Sequence, residues 1–336
     1  MKLRTISACI LSATTLILAG CSDAVVHSSA PATNVYLLGT DSQNNPQISG
    51  FPATATGTVT PSTTITLPSG NDPDYSQLAV DNAGNLYIAE TIFSPQTGSV
   101  TTVYSYAPTS STTPTPVRQF TSSVLNDTVN GMAVDSAGEV FIAIGGTTVY
   151  KFDASATGTA TPTATITFGG GRIATDANGN LYVYDDNVDN QVEVYNAGFV
   201  NAAVPTRIIN STVPLEAKAL AADANGNLYL AGRTADNDET PEIQVFSSTA
   251  TGTIAPTRTI AGASTTLIAP RDIKVNANGT IFVLDQTSQP NGVVVPQMDL
   301  RNANILQFAS TASGNVAPAG TSTSTAFAHS NYMAIH

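Results

Sequence analysis

One half-blade pattern recurs along this chain: an apolar strand, a tight turn built on Asp or Asn and Gly, then a second strand of the type Leu-Tyr-Ile or Ile-Phe-Val. The best copies read LAVDNAGNLYIAE from Leu78, MAVDSAGEVFIAI from Met132, IATDANGNLYVYD from Ile173, LAADANGNLYLAG from Leu220 and IKVNANGTIFVLD from Ile273. A unit this small cannot bury its own apolar faces, so it must pack against copies of itself; that constrains the fold before any single residue is weighed. A sixth copy is divided between the two ends of the sequence. YMAIH at residues 332–336 stands where a strand like LAVD belongs, and NVYLLG at residues 34–39 stands where a strand like NLYIA belongs. Joining these halves closes a ring and leaves no open end.

Each repeat continues into a third strand, such as TVYSYAP from Thr102, TVYKFDA from Thr148 or EIQVFSS from Glu242. A Gly/Pro connection follows, such as TATGTVTP from Thr54 or SATGTATP from Ser155, and then a fourth strand such as TTITL or TATITF. Short runs of Val, Ile, Thr, Tyr and Phe punctuated by Gly, Pro and Asn are antiparallel strands joined by hairpins. Four of them per repeat make a propeller blade. The expected fold is an all-β, six-bladed propeller of four-stranded antiparallel blades, closed by a C-terminal strand that completes the N-terminal blade.

In the turn, Asp or Asn at the strand end accepts hydrogen bonds from the turn backbone and Gly takes the positive φ, which explains Asp81, Asp135, Asp176, Asp223 and Asn276. A calcium loop would need further acids at fixed spacing, which these turns lack. Two residues into each first strand stand Ala79, Ala133, Ala174, Ala221 and Ala334, with Lys274 the exception. Small side chains let the innermost strands converge on the axis. Lys274 must instead snorkel outward or project into the central channel.

Lys2 and Arg4 precede a short apolar run from Ile6 to Leu18 and the tetrad Leu18-Ala19-Gly20-Cys21. A charged start, a short apolar core and small residues read as a secretory signal, too short for a permanent span of about 20 residues. The tetrad resembles the lipobox of bacterial lipoproteins, which implies that Cys21 carries a diacylglyceryl group and becomes the N-terminus. In that family's sorting pattern, Ser22 rather than Asp favours the outer membrane where the source has one. The only other cysteine, Cys9, lies within the leader, so no thiol remains for a disulfide, a nucleophile or a metal. The expected organisation is a signal at residues 1–20, a lipidated tether at 21–33 and the propeller at 34–336.

The repeat also resembles the NHL-repeat family of β-propellers in its six-bladed form, GNLYIAE and GNLYVYD matching the family's glycine, aromatic and aliphatic positions. That family includes lyases, lactonase-like hydrolases and binding modules, so the resemblance implies the fold and leaves the activity open.

Chemistry-bearing residues are few. The formal charge is −12, with 12 Lys and Arg against 24 Asp and Glu, which offers no basic face for nucleic acid. The three histidines, His27, His329 and His336, fall in the tether, the last inter-blade loop and the terminus, and form no metal or triad pattern. Glu90, Asp185 and Asp285 end the second strands of alternate blades. Their oxygens either converge on a divalent cation such as calcium or each satisfy a nearby loop amide. At the starts of innermost strands stand Arg172, Lys218 and Arg271, with Arg233 on a neighbouring loop. These either pair with Asp186, Glu216, Asp236 and Asp272 or receive an anionic sugar or a peptide carboxylate. Two insertions, from Gly232 and from Asp285, add material to the same face; the apolar residues 293–295 of the second favour packing across it.

The expectation is a lipid-anchored binding or scaffolding module of the cell envelope. Its ligand, a protein, small molecule or carbohydrate, would be taken at the mouth lined by Glu90, Asp185, Asp285, Arg172, Lys218, Arg233, Arg271 and Lys274. A metal-assisted hydrolase or lyase using the mouth carboxylates is the alternative.

Overall fold

The computed structural model describes residues 33–69, 74–94, 98–185, 191–235, 239–286, 303–327 and 329–336. The leader, Cys21 and the tether to residue 32 lie outside these, as do Asp186, Asp236 and residues 287–302 with most of the second insertion. Residues Asn34–His336 form one compact unit.

Six sheets follow one another in sequence, and the four strands of each repeat pair antiparallel from the innermost outward. From blade 1 to blade 6 the innermost strands are Tyr332–Ile335, Asp74–Val80, Val129–Val134, Arg172–Thr175, Leu215–Ala222 and Pro270–Val275. Both faces of a blade pack on neighbours, so the second strands are apolar almost throughout: Val140–Ile144 and Leu181–Asp185 are buried at every position. The core is divided accordingly into six clusters, each straddling two adjacent blades. One of them joins blade 6 to blade 1 through Phe282, Leu284, Leu37, Phe51 and Met333. These are the interfaces that a single repeat cannot supply for itself.

The ring closes twice. At the axis, Tyr332–Ile335 pairs antiparallel with Asn34–Thr40, Tyr36 standing opposite Ala334 and Leu37 opposite Met333. At the circumference, the Gly/Pro connection of each blade reaches back to the outermost strand of the preceding one. Gly57–Thr58 of blade 1 pairs parallel with Gly320–Thr323 of blade 6. Gly158–Thr159 does the same on Arg118–Thr121, and Gly252–Ile254 on Arg207–Ser211. The other three connections reach back without forming a strand: Ser111 bridges to Ile65, Gly314 bridges to Ile260, and the Ala202 amide donates to Thr165 O at 3.1 Å while the Thr165 amide donates to Asn201 Oδ1 at 2.8 Å. Arg207 and Arg258 lock the belt by donating to the Ser248 and Ala312 carbonyls of the next blade at 2.7 Å each, and Arg118 donates likewise to Ala154 O. The sequence reading treats these segments as plain connections, whereas they cover the outer strand edges, where an exposed ladder would invite association.

The Asp turns behave as expected, with two side-chain partners more than the sequence suggests. Asp223 Oδ1 accepts from the Asn225 and Asn227 amides at 2.9 Å, while Oδ2 accepts from Asn227 Nδ2 at 2.8 Å and from the Tyr229 hydroxyl at 3.1 Å. The same four-bond set recurs at Asp81 and Asp176. Burial first, and then the adjacent carboxylate, push the Tyr229 phenol up to about 12. A further copy is centred on Asp41, where Asn44 takes the positive φ of 64° that glycine supplies in the complete repeats.

Candidate functional site

The two ends of the channel are built differently. Where the innermost strands begin, a cavity of about 400 Å³ opens on the axis; where they end, at the Asp turns, the space is about 140 Å³ and ringed mainly by Ala, Val and Ile side chains. Leu78, Met132, Ile173 and Leu220 border both spaces and narrow the axis between them. Lys274 also borders both. Of the two placements open to Lys274 in the sequence, the structure has it lining the channel, with Nζ 2.5 Å from Asp272 Oδ1.

Local backbone geometry explains how apolar strands give a polar mouth. In four innermost strands the pairing skips one residue: Gln77 between Ser76 and Leu78, Asn130 between Val129 and Gly131, Lys218 between Ala217 and Ala219, and Arg271 between Pro270 and Asp272. Each is a β-bulge, which frees one side chain from the ladder and re-aims it. All four of the skipped residues line the cavity. Gln77 adopts φ 57°, a left-handed conformation that an ordinary residue takes only under constraint. In blade 4, which has no such bulge, Arg172 opens the strand and lines the cavity directly, preceded by Gly171. That approach is tight: a Cβ at Gly131 would come 2.1 Å from Gly171 O, so blades 3 and 4 meet here through glycine backbone.

The eight candidates read from sequence divide evenly. Arg172, Lys218, Arg271 and Lys274 line the cavity, and Asp272 is the one carboxylate among the described lining residues. A chain of net charge −12 thus gathers four of its 12 basic residues around one cavity. Arg271 and Asp272 are fixed from behind. Arg271 Nε donates to Gln286 Oε1 at 2.7 Å, and Gln286 Nε2 donates to Asn331 Oδ1 at 3.0 Å, coupling blade 6 to blade 1. Asp272 Oδ2 accepts from the Met333 amide at 2.7 Å. Lys218 stands 3.5 Å from Glu216, and both side chains are exposed, a solvated pair that holds neither residue strongly.

Glu90, Asp185, Asp285 and Arg233 do not line the cavity. Glu90 is buried and accepts from the Tyr75 hydroxyl at 2.9 Å and the Tyr104 hydroxyl at 3.0 Å, and burial with this carboxylate raises both phenols. Asp285 is 1% exposed and accepts from the Ile268 amide at 2.9 Å and the Ala269 amide at 2.8 Å. Burial pushes its carboxyl up to about 6, against the pull of those amides and of Arg233. Arg233 in turn donates to Ile268 O at 2.7 Å, so the two residues clamp one inter-blade loop from both sides. Asp185 is buried at the end of its strand in blade 4. Among the described residues, no three His, Cys, Asp or Glu side chains come together as a set that could hold a metal ion.

Sequence reasoning misses Gln77, Asn130, Asn331 and Gln286. For the first two a signal exists, a polar residue just ahead of LAV or MAV in an otherwise apolar strand; the bulge that exposes it is set by pairing and has no motif. A second cavity, of about 300 Å³, shares Asn331 and Tyr332 with the first and contains His329, whose Nδ1 lies 3.0 Å from Thr40 Oγ1.

No family model matches the chain, and no curated protein does. Among solved structures, the crystal structure of Kluyvelomyces marxianus Hsv2 is similar to it, with 13% sequence identity and a TM-score of 0.45 over 81% of this chain and 72% of that one. The assignment rests instead on the strand pairing itself, which makes this chain a six-bladed β-propeller closed at both its axis and its rim.

Proposed function

We propose that the protein is a binding module of the bacterial cell envelope, anchored by lipid at Cys21, that takes its ligand at the central mouth. The observation that supports this reading most is the contrast along one axis: a polar cavity of about 400 Å³ at one end, and a space of about 140 Å³ ringed mainly by Ala, Val and Ile side chains at the other. Small-molecule sites are concave, with a few placed polar groups, and span roughly 300–1,000 Å³. The mouth has these properties and the turn end does not. The NHL-like repeat and the lipobox-like LAGC agree with an exported propeller held at a membrane; the outer membrane is the location the Ser22 pattern favours. More than one acyl chain is needed for stable anchoring, since each buried CH₂ contributes about 0.8 kcal/mol, and a triacylated Cys21 meets that need.

The test has two arms. Cys21→Ala should move the protein from the membrane fraction to the soluble fraction and abolish fatty-acid incorporation; an unacylated wild-type N-terminal peptide would refute the anchor. Envelope components captured by the full chain should be lost from Lys218→Gln and Arg271→Gln and kept by Ser136→Ala and Ala224→Ser in the turns. The opposite pattern would place binding on the turn face.

A further inference from the structure

The first and last strands of the propeller place both of its chain ends at the turn end. The Asn34 amide donates to His336 O, and the His336 amide donates back to Asn34 O at 3.0 Å. His336 in turn reaches the Asp turn of blade 2, with Nε2 3.3 Å from Asn82 O and the ring beside Gly84. From there Asn34–Thr40 runs to the opposite end, where Thr40 borders the second cavity together with Asn331 and Tyr332 of the mouth. The chain that leads back to Cys21 therefore leaves the propeller at the end away from the mouth and close to the axis.

Reach converts that exit point into an orientation. Twelve residues lie between Cys21 and Asn34, and twelve residues span at most about 43 Å when fully extended. With the turn end toward the bilayer, the exit point already faces the anchor, and any span up to that limit is allowed. With the mouth toward the bilayer, the chain must first cross the two outer strands of blade 1, about 10 Å, and then descend the seven-residue height of Asn34–Thr40, about 23 Å. That path uses most of the extended length before any side chain or loop is cleared. Only nearly straight conformations satisfy it, an entropic cost that the first placement avoids.

The surface chemistry of the turns bears on what happens at the bilayer. The exposed positions of the five complete turns are all Asn, Ser or Ala, as at Asn82, Ser136, Ala177, Ala224 and Ala277. Among the described residues, no exposed large hydrophobic side chain lies in an Asp turn. Such tips offer a membrane neither basic charge nor apolar area to hold. Attachment then depends on the acylated tether alone, and the turn end faces the bilayer without entering it.

We propose that the mouth opens away from the bilayer that holds Cys21, and that its ligand is a component free of the anchoring leaflet and not one of that leaflet's lipid headgroups. This rests on the lipid anchor and on the binding-module reading.

The experiment compares two heights on one strand. Acylation occupies the Cys21 thiol, so a cysteine placed at Ala224 or at Val213 can be labelled alone; these positions flank Leu215–Ala222 of blade 5 at its turn end and its mouth end, about 25 Å apart. The lipidated full chain carrying a donor dye at one position is added to preformed vesicles of phosphatidylethanolamine and phosphatidylglycerol that contain an acceptor-labelled lipid. With that difference in height, energy transfer should be at least about twofold greater from Ala224→Cys than from Val213→Cys. Inserting about twenty Gly and Ser residues between Ser29 and Ala30 should bring the two values together. Equal transfer, or more from Val213→Cys, with the natural tether would overturn the orientation and leave the anchor standing; no transfer from either would remove the anchor and this inference with it. A difference that survives the longer tether would overturn the argument from reach. The Cys21→Ala chain should stay free of the same vesicles, and vesicle binding that Lys218→Gln abolishes would assign the mouth to a lipid headgroup and overturn the origin of the ligand. Loss of envelope capture with the twofold difference intact would remove the binding-module reading alone.

Discussion

The two ends of the innermost strands share one ring and obey opposite rules. At the turn end, Asp81, Asp176 and Asp223 make the same four hydrogen bonds in blade after blade, and the residues that vary are exposed ones such as Ala83 and Ala224. At the mouth, a bulge in four of the six strands frees a residue from the ladder, and it is Gln, Asn, Lys or Arg. Regularity at one end holds the blades in register; irregularity at the other end carries chemistry, at positions where the pairing no longer dictates the side chain.

The largest effect should come from breaking the ring beneath both ends. Deleting residues 332–336 removes the inner strand of blade 1, with Met333 and Ala334 buried in it, and leaves the edge of Asn34–Thr40 and two apolar faces in water. A loss on the order of 5 kcal/mol is expected, read by thermal or urea unfolding, together with aggregation. An unchanged midpoint would mean that the belt at the circumference suffices for closure.

Next in size is the direct comparison of the two ends. Asp223→Ala strands two amides, an Asn side chain and a tyrosine hydroxyl in a site only 8% exposed, and should cost about 3 kcal/mol while the folded fraction still captures ligand. Lys218→Gln should shift stability by less than about 0.5 kcal/mol and lose capture. Equal stability losses at the two positions would dissolve the distinction.

Asp285 sharpens the comparison from within the mouth face, where some acids serve the scaffold. Its folded-state carboxyl titrates at about 6 against an ordinary 3.8, so between those pH values the folded chain holds the extra proton. The associated stability is complete below about pH 4 and is lost as pH rises through 6, a contribution of roughly 2–3 kcal/mol. Unfolding midpoints at pH 4 and pH 7 should therefore fall more with pH in the wild type than in Asp285→Asn. Parallel pH profiles would show that burial does not govern this group.

How much of this is legible in the sequence follows from what local chemistry can encode. The Asp turn is specified by residues within six positions of one another, so the five complete copies are evident; the one at Asp41 hides because Asn44 replaces the glycine. Closure at the axis is legible because its two halves keep their apolar pattern. The outer belt is not, since Gly57–Thr58 finds its partner in Gly320–Thr323, more than 250 residues away, and a two-residue pairing leaves no periodicity. At the site, Arg172, Lys218, Arg271 and Lys274 are found from strand position alone, and Gln77 and Asn130 are missed. Glu90 and Asp285 look like mouth carboxylates by position, but burial turns them inward to tyrosine hydroxyls and loop amides.

The most direct test of the central claim maps contact in the living cell. Photo-crosslinking residues placed one at a time at Asn130 and Lys218, and at Ser136 and Ala224, sample the two ends of the same strands with no ligand chosen in advance. Adducts with envelope components at Asn130 and Lys218, and none at Ser136 and Ala224, are the result this account predicts; adducts confined to the turn positions would contradict it.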